Sequence, residues 1–259
     1  MSDLTTAAIN LLKDLIGLPS FSKQEDKTAD RIGEWFNHYG IPYERDGNNL
    51  WAKNKAFDPQ KPTLLLNSHH DTVKPNTAYT NDPFEAKIVD GKLYGLGSND
   101  AGGALVSLIA LFTHYFNKEN PKYNLLVVAS AEEEIAGDDS LSGLLPKLPK
   151  IDVAIVGEPT EMHLAVAEKG LIVFDAVIKG TPGHAAHPNA DNPIMKLPEV
   201  LNWFENFKLQ KYSDFLGDVK VTVTQVSAGK EHNVIPASVN LVVDVRVNDK
   251  YSNQELSNI

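Results

Sequence analysis

The sequence predicts an α/β fold, a mixed sheet flanked by helices, followed by a smaller α+β domain. Three short apolar runs, at residues 63–68, 125–129 and 153–156, lack helical periodicity, which is typical of strands buried on both faces. Helical patterns precede and separate these runs, in the order of a sheet covered by helices. After Gly170 the pattern changes, so we predict domains over residues 1–169 and 170–259.

The first domain opens with two predicted helices. Apolar residues recur at helical spacing over residues 8–16, and Gly17 then ends the pattern. The second helix follows Ser22 and Glu25, which have the spacing of a capping box, and it ends at Gly40. Both helices precede the first apolar run.

A hairpin and a third helix follow the first apolar run. Asp90 and Gly91 supply the two positive-φ residues that a tight turn needs between short alternating strands. Residues 101–116, rich in Ala and Leu, then predict a helix. These elements continue the alternation of strands and helices expected of a sheet covered by helices.

The second domain reads as most of a β-α-β-β-α-β unit. Its predicted elements are a strand at 171–178, a helix at 193–207, strands at 219–226 and 239–247, and a helix start at Ser252. Ser252 and Glu255 form a second capping-box pattern, and the sequence ends at Ile259. Because such a unit normally closes with a further strand, the pattern predicts an incomplete second domain.

Composition excludes several classes of protein. The 259 residues carry a formal net charge of −10, and no cluster of Lys and Arg provides a nucleic-acid or anionic-membrane surface. The absence of cysteine removes disulfides, thiolate nucleophiles and cysteine zinc sites. The N-terminal segment lacks the basic start and apolar core of a signal peptide. We therefore expect a cytoplasmic protein that binds neither nucleic acid nor membrane.

Polar residues follow the first apolar run and open the third helix. His69, His70 and Asp71 come directly after residues 63–68, and ligands of open α/β sheets gather at the carboxyl ends of strands. His and Asp that merely cap a loop are the ordinary alternative. Asp100 stands at the entry of a helix, where Asp is also a good N-cap residue.

Carboxylates follow the other two apolar runs. Glu132, Glu133 and Glu134 come after residues 125–129, and three adjacent carboxylates raise one another's pKa unless a cation compensates them. A solvated charge run is the ordinary alternative. Glu158 follows the third run, where a lone Glu is usually a loop residue.

Taken together, these positions favour a metal site. His69, Asp100, Glu134 and Glu158 form a hard oxygen and nitrogen ligand set suited to zinc, cobalt or manganese. A carboxylate can bridge two ions about 3.5–4 Å apart. We therefore expect a site for two ions, and the ligand set leaves zinc, cobalt and manganese open.

Five stretches carry a family resemblance: SHHDTVKP, LYGLGSNDAGG, SAEEEIAG, VGEPT and KGTPGHAAHP. In order and spacing they resemble the motifs of the zinc-dependent acetylornithine deacetylase, succinyl-diaminopimelate desuccinylase and glutamate carboxypeptidase family. The resemblance spans most of the chain and is strongest to the acetylornithine deacetylase branch. The resemblance implies a zinc-exopeptidase-like catalytic domain. It also implies hydrolysis of an N-acyl amino acid, with N-acetyl-L-ornithine in arginine biosynthesis as the first candidate substrate.

The resemblance also assigns a role to each site residue. It implies that His69 and Glu158 bind one zinc, Asp100 bridges both, Glu134 binds the second, Asp71 orients His69, and Glu133 is the general base. A carboxylate behind a His ligand fixes the tautomer of the ring.

Three residues of the second domain resemble positions of a lid that closes over the substrate. His184 resembles a residue that reaches the partner's active site in dimeric relatives and stabilises the oxyanion, which implies a homodimer through residues 219–226. Asn233 and Arg246 resemble residues that bind the substrate's carboxylate. The ordinary alternatives are a loop His at position 184 and a solvent-facing strand residue at position 246.

The chain departs from the family pattern at three points. Gly102 stands where relatives commonly have Lys, and Glu132 where they commonly have Asp. The last His ligand of the second zinc has no counterpart, and His38, His114, His163 and His232 read as surface residues. The alternatives are therefore a desuccinylase, a metallo-dipeptidase, or a non-catalytic zinc-binding or dimerisation fragment.

Overall fold

The computed structural model describes residues 3–258 and divides into two compact units. The first unit extends to Met162 and the second begins at His163. Within the described residues, no helix combines the length and the apolar character needed to cross a membrane.

The first unit consists of helices on both faces of a five-stranded mixed sheet, as the sequence predicts. Its elements are α1 (Asp3–Ile16), α2 (Asp26–His38), β1 (Glu44–Asp46), β2 (Asn49–Lys53), β3 (Thr63–His69), β4 (Lys87–Val89), β5 (Lys92–Tyr94), α3 (Gly103–Tyr115), β6 (Asn124–Ser130), α4 (Leu141–Leu144) and β7 (Val153–Val156). The strand order is β1-β2-β6-β3-β7. Strands β6, β3 and β7 are mutually parallel, whereas β1 and β2 are antiparallel to their neighbours.

The alternation of side chains along the strands divides the core of the first unit into two layers. On β6, Val127 and Ala129 face the helices α1, α2 and α3, while Leu126 and Val128 face the layer that contains α4. Each fully buried large aliphatic side chain contributes about 1.5–3 kcal/mol through burial. The sheet is thus held from both sides, and its strand ends are fixed in position.

Strand β7 differs from the sequence prediction. The apolar run at 153–156 predicts a strand buried on both faces, yet all four of its residues are exposed. The reason is its place in the sheet, because β7 pairs with β3 along one side and forms the edge on the other. The existence of the strand is confirmed, and its predicted burial is wrong.

The hairpin of β4 and β5 confirms the turn prediction. Asp90 has φ of 50° and Gly91 has φ of 75°, as a tight two-residue turn requires. The capping box predicted for α2 is wrong, because Glu25 itself occupies the N-cap position and makes no side-chain cap hydrogen bond. The Ser22 hydroxyl instead donates to Asp71 across the fold.

The second unit is built on a three-stranded antiparallel sheet with the order β10-β12-β8. Its elements are β8 (Gly170–Lys179), β9 (Gly183–His184), α5 (Pro193–Asn206), β10 (Lys220–Ala228), β11 (Val234–Ile235), β12 (Ser238–Val247) and α6 (Asn253–Leu256). The amide of Glu255 donates to the Ser252 hydroxyl at 3.1 Å, so Ser252 caps α6 as predicted. Val243, Val245, Val247 and Leu256 form the buried centre of this unit.

Candidate metal centre

Three parallel strands bring the first unit's polar residues to one edge of its sheet. His69 ends β3 and pairs in register with Ser130, the last residue of β6. Glu133 and Glu134 follow β6, and Glu158 follows β7 by two residues. Because the carboxyl ends of parallel strands meet at the same edge, these side chains converge.

Asp100 reaches the same edge from an irregular turn at Ser98–Gly102 that leads into α3. The turn depends on Gly97, whose φ is 72° and whose substitution would place a Cβ atom 2.6 Å from the Thr72 side chain. Helix α3 begins at Gly103 with Gly102 as its N-cap residue, so Asp100 is not the helix cap. Its side chain is 56% exposed and lies beside His69.

The two nitrogens of His69 have different partners. Nδ1 donates to the backbone carbonyl of Asp71 at 3.0 Å and lies 3.3 Å from the Asp71 carboxylate. Nε2 faces the acidic residues, 3.2 Å from Asp100 Oδ1, 3.8 Å from Glu158 Oε2 and 3.9 Å from Glu133 Oε2. A proton held on Nδ1 leaves the Nε2 lone pair directed at the acids, where a metal ion would bind.

Glu134 completes a compact set of ligand atoms. One atom each from His69, Asp100 and Glu134 lie within 4.8 Å of one another, a spacing that one ion can span. Glu158 and Glu133 also lie within 4 Å of the same His69 nitrogen. The structure therefore brings together all five residues of the first unit that the sequence places in metal binding or proton transfer.

The buried carboxylate of Asp71 contacts both His69 and the turn that follows β6. It is fully buried and accepts hydrogen bonds from the Ser22 hydroxyl at 2.8 Å and from the amides of Glu133 and Glu134 at 3.1 Å each. Burial alone would raise the pKa of Asp71. The hydrogen bonds from His69, Ser22 and the two amides outweigh burial and hold this pKa below its usual value.

In contrast to Asp71, the pKa values of His69, Glu158 and Glu134 are raised. Burial alone would lower the pKa of His69, but the hydrogen bond and charge of Asp71, followed by the charges of the neighbouring acids, raise it to about 9. Burial is the largest cause that raises the pKa of Glu158, and the surrounding carboxylates bring it to about 7 despite His69. Burial and the charge of Asp100 raise the pKa of Glu134 as well.

These residues fit a divalent cation. Across residues 3–258, no Lys or Arg nitrogen lies within 4.0 Å of the carboxylates of Asp100, Glu133, Glu134 or Glu158, and three of them pair only with His69. Burial is the main cause that raises the pKa of Glu134 and of Glu158, and repulsion among the carboxylates raises both further. A hard cation would offset this repulsion, and the oxygen and nitrogen donors are those that zinc, cobalt and manganese prefer.

In the second unit, the structure places two of the predicted lid residues together. His184 lies in β9, which pairs with β11, and the amide of Ala185 donates to the carbonyl of Asn233 at 2.9 Å. Both side chains are exposed. The backbone pairing thus presents His184 and Asn233 on neighbouring segments of one surface.

Arg246, the third predicted lid residue, lies on β12 in the other sheet of this unit. Its guanidinium donates through Nε and Nη2 to the two carboxylate oxygens of Asp244, at 3.0 and 3.2 Å. The guanidinium group of Arg246 is therefore already paired with a carboxylate two residues away on the same strand. A substrate carboxylate would have to compete with Asp244.

The remaining histidines differ in their surroundings. His38, His114, His163 and His232 are exposed, as the sequence predicts, and none joins a metal-binding group among the described residues. His70 is buried instead, with Nδ1 2.9 Å from the Thr28 hydroxyl and Nε2 donating to the Asn48 carbonyl at 2.9 Å. Burial is the main cause that lowers the pKa of His70.

Sequence reasoning missed two residues near the centre. Ser22 and Glu25 have the spacing of a capping box, yet their side chains bond to Asp71 and to the amide of Glu132. These contacts join positions 49 and 107 residues apart. No local signal in the sequence could have revealed them.

Comparison with known proteins identifies the family. Residues 65–250 match the model of peptidase family M20/M25/M40, which covers more than half of the chain. The chain belongs to this family. As an M20-family protein it is a hydrolase of amide bonds. The edge that carries His69 holds a group of side chains that could bind a metal ion.

Curated relatives of this M20-family chain carry one recurrent name. The chain is 29% identical over 273 residues to a succinyl-diaminopimelate desuccinylase of Rickettsia felis, and the match covers 96% of this chain and 71% of the relative. It is 31% identical over 279 residues to the enzyme of the same name from Buchnera aphidicola, covering 99% of this chain and 73% of the relative.

Solved structures show the same fold. An M20-family metallo-carboxypeptidase from Sulfolobus solfataricus superimposes with a TM-score of 0.71 at 18% identity, covering 100% of this chain and 74% of that one. A dinuclear metal-binding M20 peptidase from Bacillus subtilis gives a TM-score of 0.65 at 20% identity, with 100% and 67% coverage. The predicted zinc-exopeptidase-like α/β fold is therefore confirmed.

Proposed function

We propose that this M20-family protein removes the N-acyl group from an N-acyl amino acid, with two divalent metal ions and zinc as the first candidate. The observation that carries the proposal is the convergence of His69 with four carboxylates at one edge of the sheet. That arrangement provides ligands for a metal and, beside them, an acid able to transfer a proton.

The ligand assignment follows from the donor atoms at the edge. We assign His69 Nε2 and Glu158 to one ion, Glu134 to the other, and Asp100 to both. Asp100 suits the shared position because its exposed carboxylate lies within the ligand group that contains His69 and Glu134. Both of its oxygens are then available to different ions.

Glu133 is assigned the proton transfer. Bound ions supply positive charge that polarises an amide carbonyl and acidifies a water molecule. The Glu133 side chain is 54% exposed and lies 3.9 Å from His69, so it can reach a water molecule at the edge. It takes a proton from the attacking water and returns that proton to the departing amine.

The acyl group is the finer part of the proposal. Succinyl-diaminopimelate is the first substrate to test, because the relatives at 29–31% identity carry that name. N-acetyl-L-ornithine is the second, because the five motifs taken together resemble the deacetylase branch most. N-succinyl-ornithine and dipeptides follow as related linear amides.

The second unit is assigned the role of a lid and dimerisation domain. We propose that His184 stabilises the oxyanion and that Asn233 and Arg246 bind the substrate carboxylate, in a cytoplasmic homodimer. The exposure of all three side chains supports this role, since each is accessible to a ligand. Strand β10 offers an edge for pairing between copies.

The test combines metal stoichiometry with turnover. The chain is freed of metal with a chelator and titrated with Zn²⁺, and hydrolysis is measured on succinyl-diaminopimelate, N-acetyl-ornithine, N-acetyl-citrulline, N-succinyl-ornithine and dipeptides. Two zinc ions per chain with metal-dependent turnover of one of these amides is the expected result. One ion without turnover on any of them would support the non-catalytic fragment instead.

A further inference from the structure

We propose that Glu25 is a positioning residue that holds the turn Glu132–Glu134 in place at the metal centre. The inference rests on the proposed function in one respect, since it takes Glu133 and Glu134 as the general base and a metal ligand. The contacts of Glu25 themselves do not depend on that assignment.

Glu25 is fully buried at the start of α2 and uses both carboxyl oxygens. Oε1 accepts from the amide of Lys23 at 2.8 Å and from the amide of Glu132 at 3.2 Å. Oε2 accepts from the Asn48 side chain at 2.9 Å. One buried group therefore ties the loop before α2, the segment before β2 and the turn after β6 together.

Glu25 and Asp71 act on successive residues of the same turn. The amide of Glu132 donates to Glu25, and the amides of Glu133 and Glu134 donate to Asp71. Three consecutive backbone N–H groups are thus fixed by two buried acids. Asp71 holds the two residues that carry the chemistry, and Glu25 holds the residue at which the chain turns away from β6.

The turn needs this support because its backbone is unfavourable on its own. Glu132 has φ of 54°, a left-handed conformation that a residue other than glycine adopts at a cost. Its side chain is also buried, with Oε2 lacking a hydrogen-bond partner among the described residues. Without Glu25 the Glu132 amide would be buried and unpaired, and the turn would relax toward other conformations.

The experiment compares Glu25→Ala with Asn124→Ala in the full chain. Asn124 is equally buried and loses a similar set of hydrogen bonds, to Asp58, Lys61 and Thr63, but lies at the opposite end of β6. Backbone amide hydrogen exchange is measured over residues 131–136. The kcat and KM of the zinc-loaded protein are measured alongside, with the melting temperature as a check on folding.

Glu25→Ala is expected to speed exchange over residues 131–136 by about tenfold or more. It should also lower kcat by about 10–100-fold with KM nearly unchanged, as loss of a support behind metal ligands does. Asn124→Ala should lower the melting temperature while leaving both readouts near wild type. Glu25→Gln, which keeps one acceptor oxygen for the Glu132 amide, should restore part of kcat, and it also serves if Glu25→Ala does not fold.

If Glu25→Ala and Asn124→Ala have the same exchange rates over residues 131–136 and the same kcat, Glu25 only stabilises the fold. That result would overturn the inference. If the wild-type chain binds zinc but hydrolyses none of the amides, the proposed function fails, and exchange over residues 131–136 alone then decides the role of Glu25. The two failures are therefore distinguishable.

Discussion

The Nδ1 atom of His69 lies 3.3 Å from Oδ1 of Asp71, and neither side chain has any exposed surface. The pair is closed to solvent on the Asp71 side, so Nε2 is the nitrogen of His69 that faces the acids. This relationship leaves Nε2 as the ring nitrogen that a metal ion could reach. Asp71 also accepts hydrogen bonds from the amides of Glu133 and Glu134, so one carboxylate orients both the His69 ring and the turn that follows β6.

Replacing Asp71 with Asn should weaken zinc binding by about 10–100-fold, the usual effect of losing a carboxylate behind a His ligand. The new amide group can no longer accept from His69 and from both turn amides together. Calorimetric titration with Zn²⁺ measures the change. Asp152→Asn is the matched control, because Asp152 accepts from the amide of Thr63 at the opposite end of β3. Equal zinc affinity in the two variants would contradict the role of Asp71.

Replacing Glu133 with Gln should abolish turnover and leave the zinc content at the wild-type value. Gln has nearly the same shape but cannot accept and return a proton, which is the role assigned to this side chain. Metal content is measured by elemental analysis and turnover on the best substrate of the panel. Asp138→Asn, an exposed acid on the same loop, should keep full activity. Activity retained in Glu133→Gln would remove Glu133 from the mechanism.

Replacing Glu158 with Gln should have the reverse pattern, with zinc occupancy falling before any effect on the chemical step. Glu158 is half-buried with Oε2 3.8 Å from His69 Nε2, and its loss removes a charged ligand. Zinc content after dialysis against a weak chelator measures the loss. Added zinc should then recover part of the activity, whereas it should recover none in Glu133→Gln. Unchanged zinc content would exclude Glu158 as a ligand.

Zinc affinity should rise with pH up to about pH 9, because the metal must displace protons from its ligands. Without metal, the pKa of His69 is about 9 and that of Glu158 about 7, so at neutral pH the ring and part of the carboxylates are protonated. Raising the pH removes these competing protons. Calorimetry in two buffers of different ionisation enthalpy counts the protons released, and Glu158→Gln should release fewer. Binding that is independent of pH would contradict the ligand set.

The sequence could predict which residues of the first unit meet at one end of the sheet, because the patterns that indicate them lie within a few residues along the chain. An apolar run ends at His69, and acidic residues follow the next two runs, so the parallel arrangement of strands brings them together. The tight turn at Asp90 and Gly91 is local in the same sense. Each of these features depends on neighbours within a few residues.

Other features depend on distant partners and could not be predicted. Glu25 has the spacing of a capping box, and only the folded chain brings it to Glu132. The run at 153–156 is apolar enough for a buried strand, yet its burial depends on what packs beside β7. The Arg246 guanidinium donates to the carboxylate of Asp244. The spacing of two residues permits this ion pair but does not by itself predict it.

The register of β3 against β6 has a consequence for how the first unit folds. Successive side chains on a strand point to opposite faces, so a slip of β3 by one residue would rotate His69 away from the acids and present Ser68 in its place. A misaligned sheet could still bury many of its apolar residues, but it could not assemble the ligand group. Metal binding would therefore stabilise the native register of β3 relative to registers shifted by one residue.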